Sequence, residues 1–273
     1  TPDYIVPPTS CVIQGRLSLK QDLLCMDINQ GCAGYVIGLI QAFLLLEQKS
    51  VRRVALVTAD VLSRRVSPRD RNSYPLIGDA AAITIVERRP DSGEIHAVLK
   101  MDGSRADVLI IPAGGFRLPS SAATAQLKDG GDKNFRADDH LRMEGSEVFN
   151  FVMNEVPQQI EEVLQLADLR TDDVEYFLCH QPNRFILQKL ADRLGVPHHK
   201  MPGNVVGCYG NSNSVTIPAA IALNLANRVT RRSYQVCFSG FGVGLTWNAM
   251  TMKLGSLNFA QTIEFPSAAR KLD

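Results

Sequence analysis

Apolar positions gather into short runs and longer helical stretches that alternate along the chain. Residues 23–28, LLCMDI, read as a buried strand. Residues 35–46 carry one strongly polar side chain, Gln41, which predicts a helix opened by Cys32 and buried on every side. Residues 51–62 predict a second strand, its apolar 54–57 entering a turn at 58–60, and 80–89 a third that alternates toward its end. Between these lies a basic, loop-like stretch, SRRVSPRDRNSYPLIGDA. Residues 112–140 are rich in Gly, Ser and charge and predict a long surface excursion, partly mobile. A helix over 146–169 follows, with Ser146 and Glu147 as capping material and Pro157 as a kink. A strand at 174–180, a helix at 183–195 and a last strand from 233 complete the pattern. Strands alternating with helices predict an α/β fold with a mostly parallel sheet.

An internal repeat refines this picture. The stretch QGCAGYVIGLIQAFLLLEQKSVRRVALVTADV matches YGNSNSVTIPAAIALNLANRVTRRSYQVCFSGF in layout. Each has a glycine, one key residue, an apolar helix, an Arg-Arg pair and an apolar strand. Cys32 precedes Arg52 by 20 residues, as Asn211 precedes Arg231. The chain therefore divides into two pseudo-equivalent halves, 1–90 and 91–273, with Cys32 and Asn211 at equivalent strand–helix corners.

Composition narrows the class. The 273 residues are 45% hydrophobic and 21% charged, with a net charge of +1, as for an ordinary soluble globular protein. Neither a nucleic acid nor a membrane surface is expected as partner. No apolar run reaches the roughly 18 residues that span a bilayer, and the N-terminal stretch is no signal peptide. The six cysteines form no CxxC pair, so free thiols in a reducing, cytoplasmic compartment are expected and a metal site is not.

Two readings compete at Cys32. A buried cysteine is ordinarily inert packing. This one stands between Gly31 and Gly34 at a helix start, where unpaired N–H groups and partial positive charge favour a thiolate and can also hold an oxyanion. His180 stands just past the strand 174–179, where an α/β fold keeps its ligand crevice. Asn211 alone reads as a turn residue, and His96, His140, His198 and His199 as solvated surface. The turn GFGVGLTW is, alone, a weak sign of a backbone donor nest.

Taken together, DINQGCAG, GDAAAI, MEGSEVF, HQPN, YGNSNSVTIP and GFGVGLTW, in that order, resemble the ketoacyl synthase III family of thiolase-like condensing enzymes, which initiate fatty-acid and some polyketide chains. The resemblance implies a thiolase-like fold layered α-β-α-β-α. It places a Cys-His-Asn triad on Cys32, His180 and Asn211, with backbone oxyanion donors at Cys32 and Val243. It places coenzyme A contacts at Arg71, Asn183, Gly145 and Ser146. The implied reaction loads an acyl group from acyl-CoA onto Cys32, then condenses it with malonyl-acyl carrier protein as carbon dioxide leaves. A low-pKa thiol would attack, and His180 Nε2–H with the Asn211 amide would stabilise the enolate. Coenzyme A enters as a substrate thioester, with no separate cofactor, and a homodimer completes the acyl tunnel, the segment 5–9 approaching the partner's pocket.

The sequence also departs from the family. Val243 replaces the middle glycine of a Gly-Gly-Gly turn, and a valine resists positive φ and adds bulk near the sulfur. Asn150 and Phe185 stand where bacterial members often carry Lys and Arg for carrier-protein docking. Family members extend about 80 residues beyond the start of this chain (a length the resemblance implies), so a cleaved, partial or separately supplied N-terminal segment is expected. Two alternatives remain: a Cys-dependent acyltransferase acting on an alcohol or amine without decarboxylation, and a non-catalytic partner subunit.

Overall fold

The computed structural model describes residues 1–89, 93–131 and 133–264. The expected boundary between halves, at 90/91, and residues 265–273 of the tail lie outside the described residues. Along the chain run α1 (Thr9–Arg16), α2 (Gly34–Leu46), β1 (Arg53–Asp60), β2 (Ala80–Glu87) and β3 (His96–Met101). Two-residue strands follow: β4 (Leu109–Ile110), β5 (Lys128–Asp129), β6 (Phe135–Arg136) and β7 (Arg142–Met143). Then come α3 (Gly145–Leu166), β8 (Tyr176–Cys179), α4 (Arg184–Leu194), α5 (Val205–Tyr209), α6 (Thr216–Val229), β9 (Ser233–Gly242) and β10 (Thr246–Gly255).

The layers follow from which faces are apolar. The sheet β3-β10-β9-β8 packs one face on α3 and α4, through Val152, Val156, Ile160 and Leu190 against Phe177, Cys237 and Ala249. Its other face packs on α2 and α6, where Tyr35, Val36 and Leu39 meet Ile217, Ile221 and Leu225 over Leu178, Phe238 and Met250. Leu56 of β1 and Val86 of β2 join that second cluster from beyond. The order is helices, sheet, helices, sheet, with α2 and α6 in the middle. Both central helices are largely apolar, since each has a sheet on two sides, and the polar side chains of α6 gather near its end at Asn224, Asn227 and Arg228. Each leads into a strand that pairs antiparallel with the next: α2-β1-β2 and α6-β9-β10. That is the repeat expected from the sequence.

Several expectations need correction. Residues 23–28 form no strand, and Leu24 is 70% exposed. An extended segment becomes a strand only when a neighbour takes its ladder hydrogen bonds, and none of the described residues does so. Asp27 instead accepts from the main-chain N–H groups of Thr9 and Ser10, at 2.6 and 2.9 Å. Pairing is mostly antiparallel, with β8–β9 the parallel exception among the named strands. The cause is local: β9 and β10 are joined by a tight turn, which forces an antiparallel pair. The helix that Cys32 was expected to open starts at Gly34, and α3 starts at Gly145 with no side-chain cap bond, so Ser146 lies inside its first turn. It runs through Pro157 as one element. The excursion at 112–140 is tied down by the β5–β6 ladder and by buried Thr124, Asn134 and Ala137. Among the described residues no helix is long and apolar enough to cross a membrane.

Candidate active site

Cys32 lies two residues before α2, 6% exposed, with Gly31 accepting from the N–H of Gly34 at 2.8 Å. The β9–β10 hairpin braces it from below. Asn248 of β10 accepts from the N–H of Gly240 at 3.0 Å and donates to the Ala33 carbonyl at 3.1 Å, tying the strand to the nucleophile's loop. The approach is close enough to demand glycine at position 242. A Cβ there would lie 2.7 Å from Cys32 Cβ and 2.8 Å from Sγ.

The main-chain N–H groups of Val243 and of Cys32 itself both face the sulfur and pull its pKa down. Burial and the nearby Asp60 carboxylate push the other way and prevail, lifting the thiol to about 12. The expected low-pKa nucleophile is thus corrected: the resting sulfur is a neutral thiol. Val243 meets the objection raised against a valine. Its own φ is not positive, the flanking Gly242 and Gly244 carry the unusual backbone at 158° and 139°, and its Cγ1 packs on Gly31.

His180 directly follows β8, 2% exposed, its N–H held by the Ser239 carbonyl at 2.7 Å. Its ring stands edge-on to Phe241. Nδ1 faces the Asn213 carbonyl at 3.2 Å and Thr216 Oγ1 at 2.8 Å. The carbonyl can only accept, and the Thr216 hydroxyl is itself placed to donate to that carbonyl at 2.8 Å. These partners suit a proton on Nδ1. Burial holds the imidazole neutral, its pKa down at about 4, and in that tautomer Nε2 carries a lone pair. The expected Nε2–H donor belongs to the other tautomer, in which the Thr216 hydroxyl donates to Nδ1.

Asn211 is fixed by a short backbone ladder to the GDAAAI motif. Its N–H donates to Leu76 at 2.6 Å, and its carbonyl accepts from Gly78 at 3.1 Å. Gly78 and Gly210 lie back to back, and a Cβ on Gly210 would meet Gly78 N and Cα at 2.7 Å. The side-chain Oδ1 of Asn211 accepts from the N–H of Asn213 at 3.0 Å. The carboxamide on Cys32 belongs to Asn213, whose Oδ1 accepts from Sγ at 3.4 Å. Sequence reasoning missed Asn213, and also Asp60 with its partner Ser214, 2.9 Å away. The only available signal was a second asparagine just before an apolar helix.

The comparisons with known proteins decide the family. The N-terminal family model of 3-oxoacyl-[acyl-carrier-protein] synthase III matches residues 26–103, and its C-terminal model matches residues 164–254. A beta-ketoacyl-[acyl-carrier-protein] synthase III of Acaryochloris marina is 34% identical over 251 residues, covering 91% of this chain and 72% of that protein. The chain belongs to the 3-oxoacyl-[acyl-carrier-protein] synthase III family. A solved 3-oxoacyl-(acyl-carrier-protein) synthase III aligns with a TM-score of 0.87 at 36% identity, covering 92% of this chain and 75% of that one. The synthase from Burkholderia xenovorans LB400 aligns at 0.88 and 35%, covering 97% and 74%. The thiolase-like α/β fold expected of the family is the fold observed.

The remaining residues that the family resemblance singled out fall in two places. The first turns of α3 and α4 lie side by side, with Phe149 and Phe185 stacked at 6.0 Å between centroids. Gly145, Ser146 and Asn183 therefore share one rim. Asn183 also caps α4, its Oδ1 accepting from the N–H of Ile186 at 2.8 Å, so only its amide nitrogen is left for a ligand. Arg71 stands exposed on the loop between β1 and β2, its N–H held by Asn134 Oδ1 at 3.0 Å.

Proposed function

We propose that the chain joins an acyl group carried on Cys32 to the carbon of a malonyl thioester as carbon dioxide leaves, giving a 3-oxoacyl thioester. The observation that carries this reading is Asn213. It draws together Cys32, His180 and Asn211, which lie on three separate stretches of the chain. In the first step the Cys32 thiol proton passes to a base, with His180 Nε2 the lone pair on offer. The sulfur attacks the thioester carbonyl of acyl-CoA, and the N–H groups of Cys32 and Val243 receive the oxyanion. The coenzyme A sulfur leaves and takes the proton. In the second step the malonyl carboxylate departs as carbon dioxide. The negative charge left on the thioester oxygen meets the Asn211 amide. The enolate carbon then attacks the Cys32 thioester, the acyl carbon–Sγ bond breaks, and Cys32 leaves as a thiolate that takes a proton from water.

The substrates in this reading are acyl-CoA and malonyl-acyl carrier protein, with no resident cofactor. Arg71, Asn183, Gly145 and Ser146 would line the coenzyme A path. A carrier protein would meet an aromatic rim, with Phe185 57% exposed and Lys189 over its ring, and Asn150 close by. A homodimer in the cytoplasm completes the proposal. One observation favours a second reading, an acyltransferase acting on an alcohol or amine: a lone pair at Nε2 suits a general base that activates such an acceptor.

The test is mass mapping of Cys32 after exposure to a series of acyl-CoA thioesters, with Cys32→Ser as control. An acyl adduct on Cys32 that disappears with labelled malonyl-acyl carrier protein, as labelled carbon dioxide is released, is the expected result. Adduct loss to an amine or alcohol without carbon dioxide selects the second reading. No adduct at any chain length rejects both.

A further inference from the structure

The contact between Asn213 and Cys32 has a chemical direction. A thiol S–H donates to the carboxamide oxygen at 3.4 Å. A thiolate cannot, and would face that oxygen as a like partial charge. The bond therefore exists only while the sulfur is protonated. Nothing about Asn213 is free to drift. It is 7% exposed, its N–H is held by Asn211 Oδ1, and its carbonyl takes bonds from His180 Nδ1 and the Thr216 hydroxyl. Its φ of 50° is a left-handed conformation that asparagine tolerates and most residues do not. The main chain is thus fixed, and it sets the carboxamide, whose own contact is with Sγ, beside the sulfur.

We infer that Asn213 is a further catalytic residue, one that holds Cys32 in its protonated, unreactive form in the resting site and lets go when substrate displaces its carboxamide. This rests on the reading of Cys32 as the nucleophile. It adds a control that the Cys-His-Asn triad lacks. A buried thiol held this way resists stray electrophiles and oxidants, which act on the thiolate. It also places the orientation of one amide under test: with Nδ2 toward the sulfur, the same residue would favour the thiolate instead.

The measurement is the rate of iodoacetamide alkylation at Cys32, followed on its own peptide by mass spectrometry across pH, for the wild type, Asn213→Gly and Asn213→Asp. Glycine accepts the φ of 50° and keeps both main-chain bonds, deleting only the carboxamide. Its expected effect is alkylation about 5-fold faster at a given pH, the weight of one modest hydrogen bond. Aspartate keeps the volume and sets a carboxylate beside the sulfur, so alkylation slows. This outcome also excludes easier access as the cause of the glycine result. Unchanged rates in both folded variants, or slower alkylation in Asn213→Gly, overturn the proposal. Alkylation needs no turnover, so the two readings fail separately. Rates that shift as expected in a protein that takes no acyl group from acyl-CoA leave the contact standing and remove the proposed reaction.

Discussion

The neutral state of His180 has a thermodynamic cost that can be measured. In the folded chain burial holds the imidazole's pKa at about 4, with the bond to the Asn213 carbonyl pulling weakly upward, against 6.5 for the ordinary side chain. Between those values the unfolded chain carries the proton and the folded chain does not. The stability due to the neutral ring is therefore complete above pH 6.5 and is lost as the pH falls toward 4. At about 1.4 kcal/mol per pH unit, the loss approaches ~3 kcal/mol at the lower end. The perturbation is His180→Asn, which keeps a donor near the Nδ1 position and does not titrate. Urea unfolding of both proteins at roughly pH 7.5, 5.5 and 4.5 gives the stability difference between them, in which the other histidines cancel. The wild type's advantage should shrink by about 1 kcal/mol near pH 5.5 and by more than ~2 kcal/mol near pH 4.5. A difference that stays constant over this range would refute the reasoning. The ring would then be solvated or paired with a charge, and its neutral state near pH 5 would lose its support.

Two further substitutions test how the nucleophile is seated. Gly242→Ala drives a methyl into Cys32 Cβ and Sγ. It should cost about 1–3 kcal/mol in thermal unfolding and slow Cys32 acylation on the order of 100-fold, since the reacting atom is displaced. Asn248→Ala strands the Gly240 N–H and the Ala33 carbonyl. It should destabilise the fold by about 2–3 kcal/mol and lower the acylation rate while leaving the Cys32 adduct chemically unchanged, as seen by melting and intact mass.

The sequence was most legible where local pattern and burial agree. The run 35–46 is apolar but for Gln41 because it ends up between two sheets, and α2 matches it to within one residue. The repeat spacing from Cys32 and Asn211 to their Arg-Arg pairs marked a helix–strand unit that occurs twice, as α2-β1-β2 and α6-β9-β10. Residues 23–28 misled because an apolar run states only that burial would be favourable. A strand also needs a partner for its backbone. The parallel sheet was inferred from alternation, yet strand direction depends on the length of the connections, and the turn after Gly242 is short. β3, whose alternation is weak, and β10, which follows that turn, escaped the pattern. The site was legible as to residue types at 32, 180 and 211. Which asparagine of Asn-Ser-Asn turns toward the sulfur was not, because one left-handed φ at position 213 decides it. The state of the thiol was not legible either. A helix start and two N–H groups favour the thiolate, but only the folded chain shows that burial and Asp60 outweigh them.

Gly78 and Gly210, pressed back to back where the loop after β1 meets the segment before α6, amount to a single unit of inheritance. Enlarging either residue collides with the main chain of the other, and no compensating change at the second position can help, since neither has a side chain to shrink. Random variation across the two loops would therefore leave these positions untouched. Any lineage that reshapes the pocket must do so from its side-chain-bearing neighbours, with the rails on which Asn211 rests held constant.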